Sequence, residues 1–190
     1  MTQASLHQLL RQVATAFEVL DIPFALVGGF AVSVRAEPRF TRDVDVLVAV
    51  ADDSEAESLI RALRAHGLAP FSLVEQAATG RLATARLRNE RGMICDLLLA
   101  TTGIESRILG GASRVDLHPG MTLSVASAEH LLAMKVLSWD EDRPQDLMDI
   151  RALLNTALDL TEVRAALDAI HASGTHRQQD LKAKLDQLLE

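Results

Sequence analysis

Six residues of this chain, Asp43-Val44-Asp45-Val46-Leu47-Val48, leave it few ways to fold. Side chains alternate between the two faces of a strand, so Val44, Val46 and Val48 share one face while Asp43, Asp45 and Leu47 share the other. Two carboxylates on one face of a half-buried strand repel each other unless a cation lies between them. Magnesium answers that need, because it prefers carboxylate oxygens together with substrate phosphates.

Two further features belong with this run. Phe24-Ala25-Leu26-Val27 reads as a short buried strand broken by Gly28-Gly29, with a helix starting over Phe30 to Val34. Without Cβ atoms the two glycines let backbone N–H groups approach a triphosphate, and the following helix N-terminus adds a favourable dipole. The arginines Arg35, Arg39 and Arg42, with Thr41, are candidates for further phosphate contacts. The third feature is Asp96, set inside the apolar run Met93-Ile94-Cys95-Asp96-Leu97-Leu98-Leu99. An unpaired carboxylate in such a run is costly. If its strand lies beside that of Asp43 and Asp45, the three acids converge and form a candidate metal site. Two ions there would serve in-line phosphoryl chemistry, one activating the nucleophile and one stabilising the leaving pyrophosphate.

The rest of the chain supplies a scaffold. Leu6, Leu9, Leu10, Val13, Phe17 and Leu20 recur at helical spacing. Ser5 and Gln8 form a capping box for that helix, and Asp21-Ile22-Pro23 ends it. Ala56, Leu59, Ile60 and Leu63 mark another helix, stopped at Gly67. Leu82–Leu87 and Met93–Leu99 read as a hairpin turning at Asn89-Glu90-Arg91-Gly92. Residues 102–109 are expected to form a short helix, and 115–117 and 122–125 extended pieces. From Ser127 the pattern is helical, with segments capped by Ser127, opened by Pro144, capped by Thr161, and a last one over 178–189. The expected fold class is α/β (α+β): a mixed-sheet core over residues 1–122 and a helical region over 123–190 packed on it.

Composition excludes several classes. With 48% hydrophobic and 24% charged residues among 190, the chain has a globular profile and needs no cross-links. Cys95 is the single cysteine, so neither an internal disulfide nor a cysteine-rich metal site exists. The histidines show no metal-ligand spacing. The first residues have no basic region followed by an apolar run, and no apolar stretch reaches the roughly 20 residues that cross a bilayer. The expectation is a cytoplasmic protein with no membrane partner. A formal net charge of −7 disfavours non-specific nucleic-acid binding by the whole surface. It leaves room for a local basic groove, and arginine far outnumbers lysine.

Leu26-Val27-Gly28-Gly29-Phe30-Ala31-Val32, followed by Arg39 to Val46, resembles the opening of the nucleotidyltransferase (DNA polymerase β-like) superfamily. Within it, the chain is similar to the AbiEii-type nucleotidyltransferases, the toxins of type IV toxin–antitoxin systems. Ser127 to Leu137 with Lys135, and Arg143-Pro144-Gln145-Asp146-Leu147-Met148-Asp149-Ile150, resemble two later helices of that group. The likeness spans about residues 20 to 155. It implies a short mixed sheet flanked by helices, and transfer of a nucleoside monophosphate from an NTP to an acceptor hydroxyl with release of pyrophosphate. It implies that Asp43, Asp45 and Asp96 bind Mg2+, that Gly28 and Gly29 hold the triphosphate, and that Lys135 neutralises phosphate charge. Asp146 would orient the lysine or the acceptor, and Asp149 would brace the helix. The implied partners are tRNA or a protein acceptor and a cognate antitoxin. Two other readings stand beside it: transfer to a small molecule, as in aminoglycoside or lincosamide resistance enzymes, and a non-catalytic nucleotide-binding antitoxin or regulatory module.

Overall fold

The computed structural model describes residues 3–41, 43–77 and 79–190, with side chains from residue 6 onward. Helix α1 covers Gln3–Leu20 and buries Leu9, Leu10, Val13 and Phe17. It begins before Ser5, so Ser5 lies inside the helix rather than capping it. It ends at Asp21, whose φ of 53° breaks the helical run before Pro23. Strand β1 (Ala25–Val27) is wholly buried and passes directly into α2 (Gly28–Arg35). Strand β2 (Val44–Leu47) follows a loop. Helix α3 (Asp53–Ala65) is capped by Asp52, which accepts from the Glu55 N–H at 2.9 Å, and gives way to Gly67 at φ +79°.

Strands β3 (Ala69–Glu75), β4 (Leu82–Arg88) and β5 (Ile94–Leu98) come next, then α4 (Glu105–Gly111) and the hairpin β6 (Ser113–His118) and β7 (Met121–Val125). Four helices close the chain: α5 (Ala128–Ser138), α6 (Pro144–Leu154), α7 (Leu160–Ala172) and α8 (Leu181–Leu189). The cap of α7 is Asp159, which accepts from the Thr161 N–H at 2.8 Å, so Thr161 lies within the first turn. Asp180 caps α8, which starts at Leu181, three residues after the expected start at 178.

The strands form one seven-stranded mixed sheet in the order β3-β4-β5-β2-β1-β7-β6. Its centre is decided by two parallel pairings, β2 with β5 and β1 with β7, and one antiparallel pairing of β1 with β2. Val44, Val46 and Val48 are fully buried, and so is Leu47 on the opposite face. Both faces of β2 are therefore covered, and Asp45 sits in a gap in that cover. Helices α1 and α3 contact β2, β3 and β4, while α2 packs on β1 and β2 and contacts α5 and α6. With few aromatics, the core is built from Leu, Val, Ala and Ile. Among the described residues, no helix is long and apolar enough to cross a membrane.

Candidate active site

One row of residues runs across four neighbouring strands. Val27 of β1 is opposite Asp45 of β2, Asp45 is opposite Asp96 of β5, and Asp96 is opposite Arg86 of β4. Parallel pairing thus sets the two acids side by side on one face of the sheet. The strand of Asp96 is the immediate neighbour of the Asp45 strand, as convergence of the acids requires.

The passage from β1 into α2 shapes the pocket for Asp45. Gly28 has φ +63°, a left-handed conformation that permits a strand to turn into a helix without a linker. A Cβ on Gly28 would fall 2.0 Å from Asp45 Oδ2. The Gly29 N–H, left unpaired by the helix, donates to Asp45. A Cβ on Gly29 would fall 2.2 Å from the Arg39 Nη2, so the second glycine makes room for a guanidinium. Both glycines thus have reasons to be glycine that lie within the protein itself.

The Asp45 carboxyl is raised to about 7: burial pushes it up most, the charges of Asp96 and Asp43 add to that, and Lys135 and the Gly29 N–H hold it down. Asp96 receives a hydrogen bond from Arg86 Nε at 3.0 Å. Thr41 donates to the Asp43 carbonyl at 3.2 Å, and Asp43 reaches Asp45 through its charge. The Cys95 thiol, beside them in the sheet, is buried and pushed far up by burial, which leaves it inert.

Helices α5 and α6 form the opposite wall. Ser127 caps α5 by accepting from the His130 N–H, and two turns later Lys135 points at α6. Its Nζ lies 2.6 Å from Asp146 Oδ1 and 2.7 Å from Asp149 Oδ2. Asp149 is buried and also takes the Arg39 fork, at 2.5 and 2.8 Å. Asp146 accepts from Ser138 Oγ at 3.0 Å and pairs with Arg143 at 3.4 Å. Burial pushes Asp146 up, but Lys135, Arg143 and Ser138 outweigh it and hold the carboxyl below its ordinary range.

Gly28, Asp45, Asp96, Lys135 and Asp146 line one cleft of about 260 Å³, together with Arg177. Five of the residues singled out from the sequence therefore share one space. Arg39 does not border it; it is committed to Asp149 beneath Gly29. Arg35 is not there either, because its guanidinium ties α2 to the Val125 and Ala126 carbonyls. Arg42 lies outside the described residues.

Among the described residues, no three acid, histidine or cysteine side chains are gathered closely enough to hold one ion. The pair Asp45 and Asp96 still fits a hard divalent cation. It supplies carboxylate oxygens, and the like-charge crowding that raises Asp45 is what such a cation relieves.

Arg86, Asp149 as a partner of Lys135, and Arg177 were not legible as site residues from spacing alone. For Arg86 the signal is partial: counting out from Asn89–Gly92 sets it opposite Cys95, and only with Asn89 paired to Met93, leaving Glu90–Gly92 as the turn, does it fall opposite Asp96. For Arg177 there is none, since its place depends on how α7 and α8 return to the cleft.

Several solved structures share this architecture. An antigenic nucleotidyltransferase-like protein from Paracoccidioides brasiliensis is 20% identical, with a TM-score of 0.53 over 98% of this chain and 94% of that one. The antibiotic-resistance factor ANT(2'')-Ia is 15% identical, with a TM-score of 0.58 over 93% and 97%. The lincosamide antibiotic adenylyltransferase LnuA, solved with lincomycin bound, is 16% identical, with a TM-score of 0.52 over 83% and 99%. These likenesses establish a nucleotidyltransferase fold. Comparison with curated proteins gives no match. The family model described as nucleotidyl transferase AbiEii toxin, type IV TA system, matches residues 8–190. With strand-borne acids facing a helix-borne lysine, and with nearly the whole length matched, the chain belongs to the AbiEii nucleotidyltransferase family.

Proposed function

We propose that the protein moves a nucleoside monophosphate from an NTP to a hydroxyl of tRNA or another macromolecule, with Mg2+, as the toxin of a pair with a cognate antitoxin. The observation that carries this reading is the pairing of Asp45 with Asp96 across the cleft from Lys135. With the charge of Asp43 adding to the negative field around them, Asp45 and Asp96 would hold the cation. It supplies positive charge for the acids and the substrate phosphates. Lys135 brings positive charge to the phosphates from the other wall, and Asp146 and Asp149 fix its position. Gly28 keeps the floor beneath Asp45 low. In the reaction the acceptor oxygen bonds to the α-phosphorus, the bond to pyrophosphate breaks, and the hydroxyl proton is released.

The test is incubation of the protein with Mg2+, each labelled NTP in turn, and total tRNA or cell extract. Label is expected on a macromolecule with wild type and none with Asp45→Ala. The variant is also expected to melt no lower than wild type in chelator, because one of several crowded like charges is gone. No labelling by wild type would overturn the reading; marked destabilisation of metal-free Asp45→Ala would overturn the account of the acids. A second reading, transfer to a small cationic acceptor, draws on the net charge of −7 and the modest cleft of about 260 Å³. A host whose antibiotic resistance is unchanged on expression removes it.

A further inference from the structure

The segment joining α7 to α8 passes over the edge of the cleft and is pinned at both ends. Thr175 is buried, and its hydroxyl donates to the Thr102 carbonyl. Lys184 of α8 donates to Gln179 Oε1 at 2.6 Å and to the Trp139 carbonyl at the end of α5. Between these pins Arg177 and Gln178 have φ of 55° and 59°. Two successive non-glycine residues in the left-handed region are uncommon, and such strain persists where the surroundings dictate it and a site uses it.

Arg177 is exposed and stands where two cavities meet. One is the acid cleft; the other, of about 680 Å³, shares Thr84, Thr101 and Arg177 with it. In this second cavity Thr101 Oγ1 and His176 Nδ1 are buried without a hydrogen-bond partner. The other cations lining the cleft already face acids: Lys135 faces Asp146 and Asp149, and Arg143 faces Asp146. Among the described residues, Arg177 lines the cleft with no ion pair or hydrogen bond of its own. A guanidinium held in a strained position, without a protein acid to neutralise it, is poised for an external anion.

We infer that Arg177 binds a phosphate group at the junction of the two cavities. The inference rests on the nucleotidyl-transfer reading above, and that phosphate belongs either to the triphosphate of the nucleotide or to a polynucleotide acceptor. Calorimetric titration of the full chain with Mg-NTP, and separately with total tRNA at fixed salt, tests it on wild type, Arg177→Gln, Arg177→Lys and Arg177→Gly. Arg177→Gln is expected to weaken one ligand about tenfold or more, and Arg177→Lys to recover part of the loss. Weaker Mg-NTP binding assigns the phosphate to the nucleotide. Weaker tRNA binding with Mg-NTP unchanged assigns it to the acceptor. Arg177→Gly is expected to bind as poorly as Arg177→Gln while melting at or above wild type, because glycine removes the strain. Equal binding of both ligands by wild type and Arg177→Gln overturns the inference and leaves the nucleotidyltransferase reading intact. Wild type that binds neither ligand overturns both.

Discussion

Gly28 and Asp45 touch so closely that no side chain fits between them. The position carries two separate demands, a left-handed φ of +63° and a Cβ that would sit 2.0 Å from the Asp45 carboxylate. Gly28→Ala is therefore expected to lower stability by about 1–3 kcal/mol, combining backbone strain with a forced shift of Asp45. It should also abolish transfer, because the carboxylate beside Asp96 must move. Urea unfolding alongside the labelling assay checks this; a variant as stable and active as wild type would contradict it. The glycine pair was legible in the sequence as a backbone feature after a buried strand. Its reason was not. Sequence suggests glycines that admit a triphosphate; the fold adds that they admit Asp45 and Arg39, side chains brought back over them by the loop between α2 and β2. Asp149 teaches the same point. In sequence it is an acid that braces a helix; in the fold it is buried and holds both Lys135 and Arg39.

Among elements, those with their own local signal were read closely. The hairpin of β4 and β5 turns at Asn89–Gly92, and α5 starts at its Ser127 cap. Strand β3 gave no such signal. It is an edge strand containing Pro70, with Phe71, Leu73 and Val74 all exposed, so the alternation that marks a half-buried strand is missing. The pairing of β2 with β5 was likewise a condition rather than a reading, since parallel neighbours are chosen by tertiary packing. Helix starts shifted where two candidate caps stood close together. At α7 the carboxylate of Asp159 reaches the Thr161 and Glu162 N–H groups, which a residue already inside the helix cannot do. Asp159→Ala is expected to cost about 1 kcal/mol, and Thr161→Ala no more than about 0.5 kcal/mol. Chemical denaturation of the two variants side by side decides it, and a larger loss from Thr161→Ala would restore threonine as the cap.

At the scale of the whole molecule, the helical region is joined to the sheet by two different kinds of contact. Around the cleft the joint is the Arg39–Asp149 ion pair, with Lys135 tying α5 to the same Asp149 of α6. Away from it, α4, α5 and α7 meet at His130, which is 3% exposed and stands 3.2 Å from Glu162, itself gripped by Arg107. Burial holds the His130 imidazole below its ordinary value; Arg107 adds to this, and Glu162 and Glu129 oppose it. The unfolded chain then takes up a proton at higher pH than the folded one. Stability from this residue is complete above the unfolded value of about 6.5 and is lost as pH falls from there toward the folded value. This group is thus expected to contribute a fall in unfolding free energy between pH 7.5 and 5.5, with a slope of up to about 1.4 kcal/mol per pH unit, against an opposing rise from Asp45, whose carboxyl is raised to about 7 in the fold. His130→Gln, which cannot titrate, removes the falling contribution and leaves that of Asp45, so its slope over this range should differ from that of wild type even if it is less stable at pH 7.5. The carboxyls of Asp146 and Glu129 are also held below their ordinary range, but their loss comes at lower pH, as it falls through the folded values. The two limbs are therefore separable in one set of urea titrations. A slope between pH 7.5 and 5.5 that survives unchanged in His130→Gln would show that the joint of α4, α5 and α7 is not what titrates.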